Sequence, residues 1–187
     1  MKTEDQKTFT AIHRILHWLI AVLMTVLFIT GFLRMKWMGK RTILSAIEQH
    51  APDVVTQEQK LSIAKTILSP MWHWHEWAAY GILVVFGIRI IYMILKGIRF
   101  PNPFQKGIPT KERLQGLIYI VFYIFIAVFV ITGFYLKWGD GSLKKPMETV
   151  HKWALYVFPI FIVIHLLGIA IAELGSKKGI VSRMLGG

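Results

Sequence analysis

Four apolar stretches of bilayer length constrain this chain more than any other feature. A helix needs about 20 predominantly apolar residues to cross the hydrocarbon of a membrane. The sequence supplies them at about 15–33, 74–95, 114–136 and 153–172. The first has no charge between Arg14 and Arg34, and the third has none between Arg113 and Lys137. The second is interrupted by Glu76 and Arg89, and the fourth is bounded by Lys152 and Glu173. Lipid offers no partner to backbone N–H and C=O groups, so segments of this kind satisfy them internally as helices. With 55% hydrophobic residues in 187, the expectation is an all-α integral membrane protein. It would be a four-helix bundle forming a single domain over 1–187.

The polar opening MKTEDQK leads directly into a run of spanning length, with no small-residue cleavage pattern after it. No cleavable signal peptide is therefore expected. Four spans put both termini on one side. Lys and Arg number 11 in the N-terminus, the 96–113 loop and the C-terminal tail (Lys177, Lys178 and Arg183), against 10 in the two opposite loops. Those opposite loops are longer and more acidic, so basic density favours cytoplasmic termini. The net charge of +12 reads as membrane-flanking Lys and Arg, and nucleic acid is not an expected partner. The chain has no cysteine. That excludes disulfides, cysteine-ligated iron–sulfur clusters and C-x-x-C-H haem attachment.

An internal repeat organises the spans. Span 1 ends Ile29-Thr30-Gly31-Phe32 with Lys36-Trp37 beyond, and span 3 ends Ile131-Thr132-Gly133-Phe134 with Lys137-Trp138 beyond. Span 2 opens His75-Glu76-Trp77-Ala78-Ala79-Tyr80, and span 4 opens His151-Lys152-Trp153-Ala154-Leu155-Tyr156. The chain reads as two helical hairpins of one pattern, the first with a long outer loop (34–73) and the second with a short one (137–150). Duplicated hairpins pack as four-helix bundles that ligate cofactors from facing helices.

The repeat sorts the histidines. His151 and His165 are fourteen residues apart, which on one helix is about 21 Å of rise and about 40° of rotation. They would share one side of a membrane-length helix. His75 and His151 are equivalent by the repeat, at the outer ends of spans 2 and 4. At the inner level the repeat breaks, because His17 aligns with Tyr119 and Arg89 aligns with His165. His17 and His165 remain as an inner pair. A lone helical histidine is usually structural, but ionisable groups inside a membrane are costly and usually functional. Imidazole is the usual axial ligand of haem iron, so the pairs predict an outer haem on His75/His151 and an inner haem on His17/His165. A divalent metal is the alternative, poorly served by two ligands at each of two levels. Without cysteine, both haems are b-type.

Other residues take supporting roles. Arg89 shares the face of His75 at inner-haem depth, where a haem propionate would answer its charge; the alternative is snorkelling to the interface. His13 and Arg14 lie one turn outside His17 and are candidates for an inner propionate. His13 shares the face of His17, and an interfacial residue without a role is the alternative. His73 points away from His75, and nothing pairs with His50. Gly31, Gly81, Gly87, Gly133 and Gly168 serve either close helix approach or room for a porphyrin face. The tryptophans read as an interfacial belt, and Pro159 as a kink in span 4.

The chain resembles the prokaryotic cytochrome b561 family, together with the b-type cytochrome subunits of nickel–iron hydrogenases. The resemblance covers nearly the whole chain. It rests on Leu16-His17-Trp18, on His75 with Arg89 fourteen residues later, and on His151 with His165. The tail Gly179-Ile180-Val181-Ser182-Arg183-Met184 is similar to that of hydrogenase-type members. The resemblance implies two b haems, cytoplasmic termini in a bacterial inner membrane, and electron exchange with quinone. One departure is the first outer loop, expected to form short helices around Ser45–Ile47 and Gln57–Ile67.

The chain has no nicotinamide or flavin fingerprint and no hydrolytic constellation, so its redox partners come from outside. Membrane lipid and an exchangeable quinone are the expected small partners. A periplasmic redox protein, a dehydrogenase or hydrogenase subunit, and a second copy in a homodimer are the protein candidates. The leading function is electron transfer between a periplasmic partner and the quinone pool. The alternative is a stand-alone superoxide:quinone oxidoreductase, with Lys137, Lys144, Lys145 and Lys152 attracting the anion. A non-redox scaffold leaves the four histidines without a job.

Overall fold

Local signals in the chain set where each helix begins and ends. The computed structural model describes residues 9–51, 54–98, 100–175 and 178–186; the polar opening and Lys177 lie outside the described residues. Helix α1 (Ala11–Phe32) runs into a π turn, Leu33–Trp37, closed by Met38 N–H donating to the Leu33 carbonyl at 2.6 Å. Then come α2 (Lys40–His50), α3 (Gln57–Leu95), α4 (Thr110–Trp138), α5 (Lys144–Lys152), α6 (Ala154–Leu174) and α7 (Ile180–Leu185). Among the described residues there is no strand.

Four helical segments are long and apolar enough to cross a membrane: Ala11–Trp37, Gln57–Leu95, Thr110–Trp138 and Lys144–Leu174. Large apolar side chains such as Ile91, Ile94, Leu114, Ile131, Ile171 and Leu174 are exposed along them. Water would penalise such continuous apolar surface, whereas lipid solvates it. This is a multi-pass, all-helical membrane protein. All seven tryptophans are exposed.

The outer loop of the first hairpin departs from expectation. Its second half is no separate helix, because Gln57–Ile67 is the first part of α3 itself. A capping box starts that helix: Thr56 N–H donates to Gln59 Oε1 at 2.8 Å and Gln59 N–H to Thr56 Oγ1 at 3.3 Å. The helix then continues through Pro70 for 39 residues. It ends in a Schellman motif. Gly97, at φ 61°, donates to the Ile94 carbonyl and Ile98 to that of Met93.

Span 4 also differs. His151 is on α5 and His165 on α6, with an interruption at Trp153, while α6 runs unbroken through Pro159. Trp153 N–H donates to the Val150 carbonyl at 3.0 Å, so the last α5 turn tightens before α6 resumes. The rotation of about 40° computed for one regular helix therefore does not apply to this pair.

The chain divides into two compact units, Ile20–Val84, and Met1–Leu19 with Val85–Gly187. In Ile20–Val84, α1 and α3 approach at Gly81. A Cβ there would sit 2.9 Å from Leu23 Cδ2, which assigns this glycine to helix packing. Buried Lys60 of α3 is paired with Glu48 of α2. In the larger unit, Phe122 of α4 stacks on Phe161 of α6 at 4.4 Å. The bend from α4 to α5 is tied by Asp140, whose Oδ1 accepts from the Tyr135 hydroxyl at 2.6 Å, the Ser142 hydroxyl at 2.7 Å and Ser142 N–H at 2.9 Å. Glu173 holds the start of α7 by accepting from Gly179 and Val181 N–H.

Candidate haem site

The inner histidines meet. His17 on α1 and His165 on α6 have ring centroids 6.0 Å apart, at an interplanar angle of 40°. An imidazole–metal bond is about 2.0–2.1 Å, so two imidazoles across one ion have centres about 6 Å apart. The observed separation fits one ion shared by both rings, and neutral imidazole is the donor that haem iron takes. Each ring is braced from the side: His17 edge-on by Trp18 at 5.5 Å, and His165 by Phe161, stacked at 5.7 Å. The Trp18 indole N–H in turn donates to the Met184 carbonyl at 3.3 Å, so the C-terminal tail docks beside the His17 turn.

At the other level each histidine carries the same hydrogen bond within its own hairpin. Thr30 Oγ1 lies 2.8 Å from His75 Nδ1, and Thr132 Oγ1 lies 3.1 Å from His151 Nδ1. Each threonine hydroxyl donates back along its helix, Thr30 to Val26 O at 2.7 Å and Thr132 to Val128 O at 2.8 Å. With its hydrogen so engaged, the hydroxyl accepts from the imidazole. Nδ1 then carries the proton and Nε2 keeps the lone pair a metal needs. Carboxylates and backbone carbonyls often do this for ligating histidines; here threonine does it twice.

Space is kept for one of these rings by a missing side chain. A Cβ on Gly133 would stand 3.0 Å from His151 Cε1, tighter than most Cβ contacts, so the glycine leaves room for the imidazole. The equivalent Gly31, with Gly87 and Gly168, would meet nothing within 4 Å. Phe129 adds an edge-on contact to His151 at 6.4 Å and Trp72 one to His75 at 5.9 Å.

The supporting residues divide. Arg89 Nε donates to the Tyr123 hydroxyl of α4 at 3.3 Å, and that hydroxyl donates to Met93 Sδ at 3.1 Å. The guanidinium is therefore turned toward α4. His13 stacks on Phe9 at 5.2 Å. Arg14 lies against Gly186, whose Cβ would be 3.5 Å from the Arg14 guanidinium. Tyr119, which stands where the repeat would place a partner for His17, is stacked on Phe100 at 4.3 Å. His73 and His50 are exposed.

The outer lysine cluster is thinner than its sequence suggests. Lys152 is ion-paired with Glu148 at 2.6 Å and Lys137 sits over the Trp138 ring at 5.7 Å. The threonines went unassigned at the sequence level, although both stand inside the repeated Ile-Thr-Gly-Phe signature that defines the hairpins.

Among the described residues no group of three or more His, Cys, Asp or Glu could hold a metal ion. The His17–His165 pair brings two imidazoles together, fewer donors than a zinc site uses. No curated protein and no solved structure matches the chain. The family model for prokaryotic cytochrome b561 matches residues 8–187. The chain belongs to the prokaryotic cytochrome b561 family, membrane b-type cytochromes of electron transfer.

Proposed function

We propose that this chain is a single di-haem domain of a bacterial inner membrane, carrying electrons between a periplasmic redox partner and membrane quinone, with both termini cytoplasmic. The ligands are His17 with His165 at the inner level and His75 with His151 at the outer. Haem b supplies reversible one-electron chemistry when bound. The chain's own residues orient and insulate. Thr30 and Thr132 fix the imidazole protons on Nδ1, and the apolar spans exclude water. Arg89, held toward α4 by Tyr123, offers its remaining N–H groups to a propionate, with His13 and Arg14 beside that level.

The observation that carries this reading is the His17–His165 pair, two imidazoles with centroids 6.0 Å apart inside apolar helices. Support for the outer pair is the sequence repeat together with the same threonine bond on each histidine. The test is a pyridine haemochrome assay on the purified full-length protein. Two haem b per chain are expected, and a protein without haem overturns the reading. Quinone reduction by the reduced protein in liposomes then tests the partner.

A further inference from the structure

The connector of the first hairpin encloses a cavity that the haem reading leaves unused. It measures about 280 Å³ and is lined by Arg34, Lys40, Lys65, Leu68, Ser69 and Trp72. The chain builds it from three places. The π turn carries Arg34, the first turn of α2 carries Lys40, and α3 presents Lys65, Leu68, Ser69 and Trp72 at helical spacing on one face. Leu68 is buried and forms an apolar wall.

The cavity is cationic and one of its donors is unmet. No carboxylate among the described residues pairs with Arg34, Lys40 or Lys65, whereas Lys60 in the same connector is answered by Glu48. Arg34 Nε is buried without a hydrogen-bond partner, and leaving a buried donor unmade is costly. The guanidinium lies 5.8 Å over the Trp72 ring, which holds its plane and leaves its edge for a ligand. An arginine fork, two ammonium groups and a serine hydroxyl together make a phosphate-binding set.

Size and depth narrow the ligand. Drug-sized ligand pockets start at about 300 Å³, so this one suits a headgroup and is too small for a haem. It lies immediately before the apolar run that begins near Trp74, among interfacial tryptophans, where lipid phosphates sit.

We propose that this cavity binds the phosphate of an anionic phospholipid headgroup through Arg34, Lys40 and Lys65, with Ser69 donating its hydroxyl hydrogen. The proposal is independent of the haem ligands. A cation near anionic lipid contributes about a fivefold change in binding, so removing two should cost about twenty-five-fold.

Native mass spectrometry of the full-length protein, in micelles holding equal phosphatidylglycerol and phosphatidylcholine, reads this out. Wild type should retain phosphatidylglycerol selectively, and Arg34→Gln/Lys65→Gln should lose it. Lys144→Gln/Lys145→Gln, which removes the same charge elsewhere, should retain it. Lys40→Gln alone should lower retention by the single-cation factor, a gentler variant should the double fail to fold. Equal loss in both double variants, or no loss in the first, overturns the site. Displacement of the lipid by inorganic phosphate would make it a free-anion site and overturn the lipid assignment. A shifted haem spectrum with lipid retention unchanged would give the cations to a haem carboxylate and would overturn the lipid site as well.

Discussion

The two hairpins share one detail and differ in almost everything around it. In each, a threonine near the end of the first spanning helix is hydrogen-bonded to the Nδ1 of a histidine further along the hairpin, His75 in one and His151 in the other. Around that bond the halves diverge. Gly133 abuts its histidine, while Gly31 meets nothing within 4 Å. The second connector is a short bend tied by Asp140; the first is built from α2 and a long extension of α3, with a basic cavity inside. At the inner level the halves are not equivalent at all: His17 is matched by a packed Tyr119, and His165 by Arg89. Both halves keep a threonine hydroxyl at the Nδ1 of a histidine.

The largest expected effect tests that equivalence directly. His75→Ala and His151→Ala should each remove one and the same haem, lowering haem b from about two to about one per chain. Pyridine haemochrome counting with redox titration checks it. Depletion of different haems by the two variants would break the pairing, and with it the symmetry of the hairpins.

A smaller effect belongs to the threonines. Thr30→Val and Thr132→Val should each weaken haem retention by about 10–100-fold, the usual consequence of losing a ligand's hydrogen-bond partner. Thr→Ser at either position should restore it, because the hydroxyl is what acts. Haem transfer to apomyoglobin gives the affinity, and a shifted midpoint potential of the same haem separates loss of the bond from general loosening. Valine variants that match wild type in both readouts would reduce the threonines to helix packing.

The smallest effect lies in the short connector. Hydrogen bonds from the Tyr135 hydroxyl, then from Ser142 N–H and hydroxyl, hold the Asp140 carboxyl down to about 2. An unfolded aspartate titrates at about 3.9, so this carboxylate supports the folded bend fully above about pH 4 and progressively less as pH falls toward 2. Asp140→Asn should lower stability above about pH 4 and match wild type only near pH 2, which flattens the acid limb of the thermal unfolding profile. An unchanged acid limb would show that the bend does not depend on ionised Asp140.

Much of this was legible in the sequence. The spans were readable because hydrocarbon demands long apolar runs, and the repeat because its Gly-Phe and His-x-Trp signatures are short and distinct. The histidine levels followed from the repeat, and the inner pair does lie together. What escaped depends on contacts far apart in the chain. A threonine in a helix normally satisfies itself against its own backbone, so nothing local marks Thr30 or Thr132 as facing a histidine 45 or 19 residues on. The interruption at Trp153 has no proline to announce it, while Pro70 and Pro159 sit in helices that continue through them. The capping box at Thr56-Gln57-Glu58-Gln59 was readable but overshadowed by the apolar run beginning at Trp74. Arg34, Lys40 and Lys65 read singly as membrane-flanking charges, and only the folded connector brings them to one cavity.

The central claim is that His17 and His165 hold one haem between them. Redox titration of His17→Ala and of His165→Ala, each compared with wild type by visible spectroscopy and low-temperature electron paramagnetic resonance, tests it most directly. Both variants should lose the same low-spin ferric signal and the same midpoint potential, and both should keep the other haem intact. Loss of different signals in the two variants, or retention of both haems in either, would contradict the account.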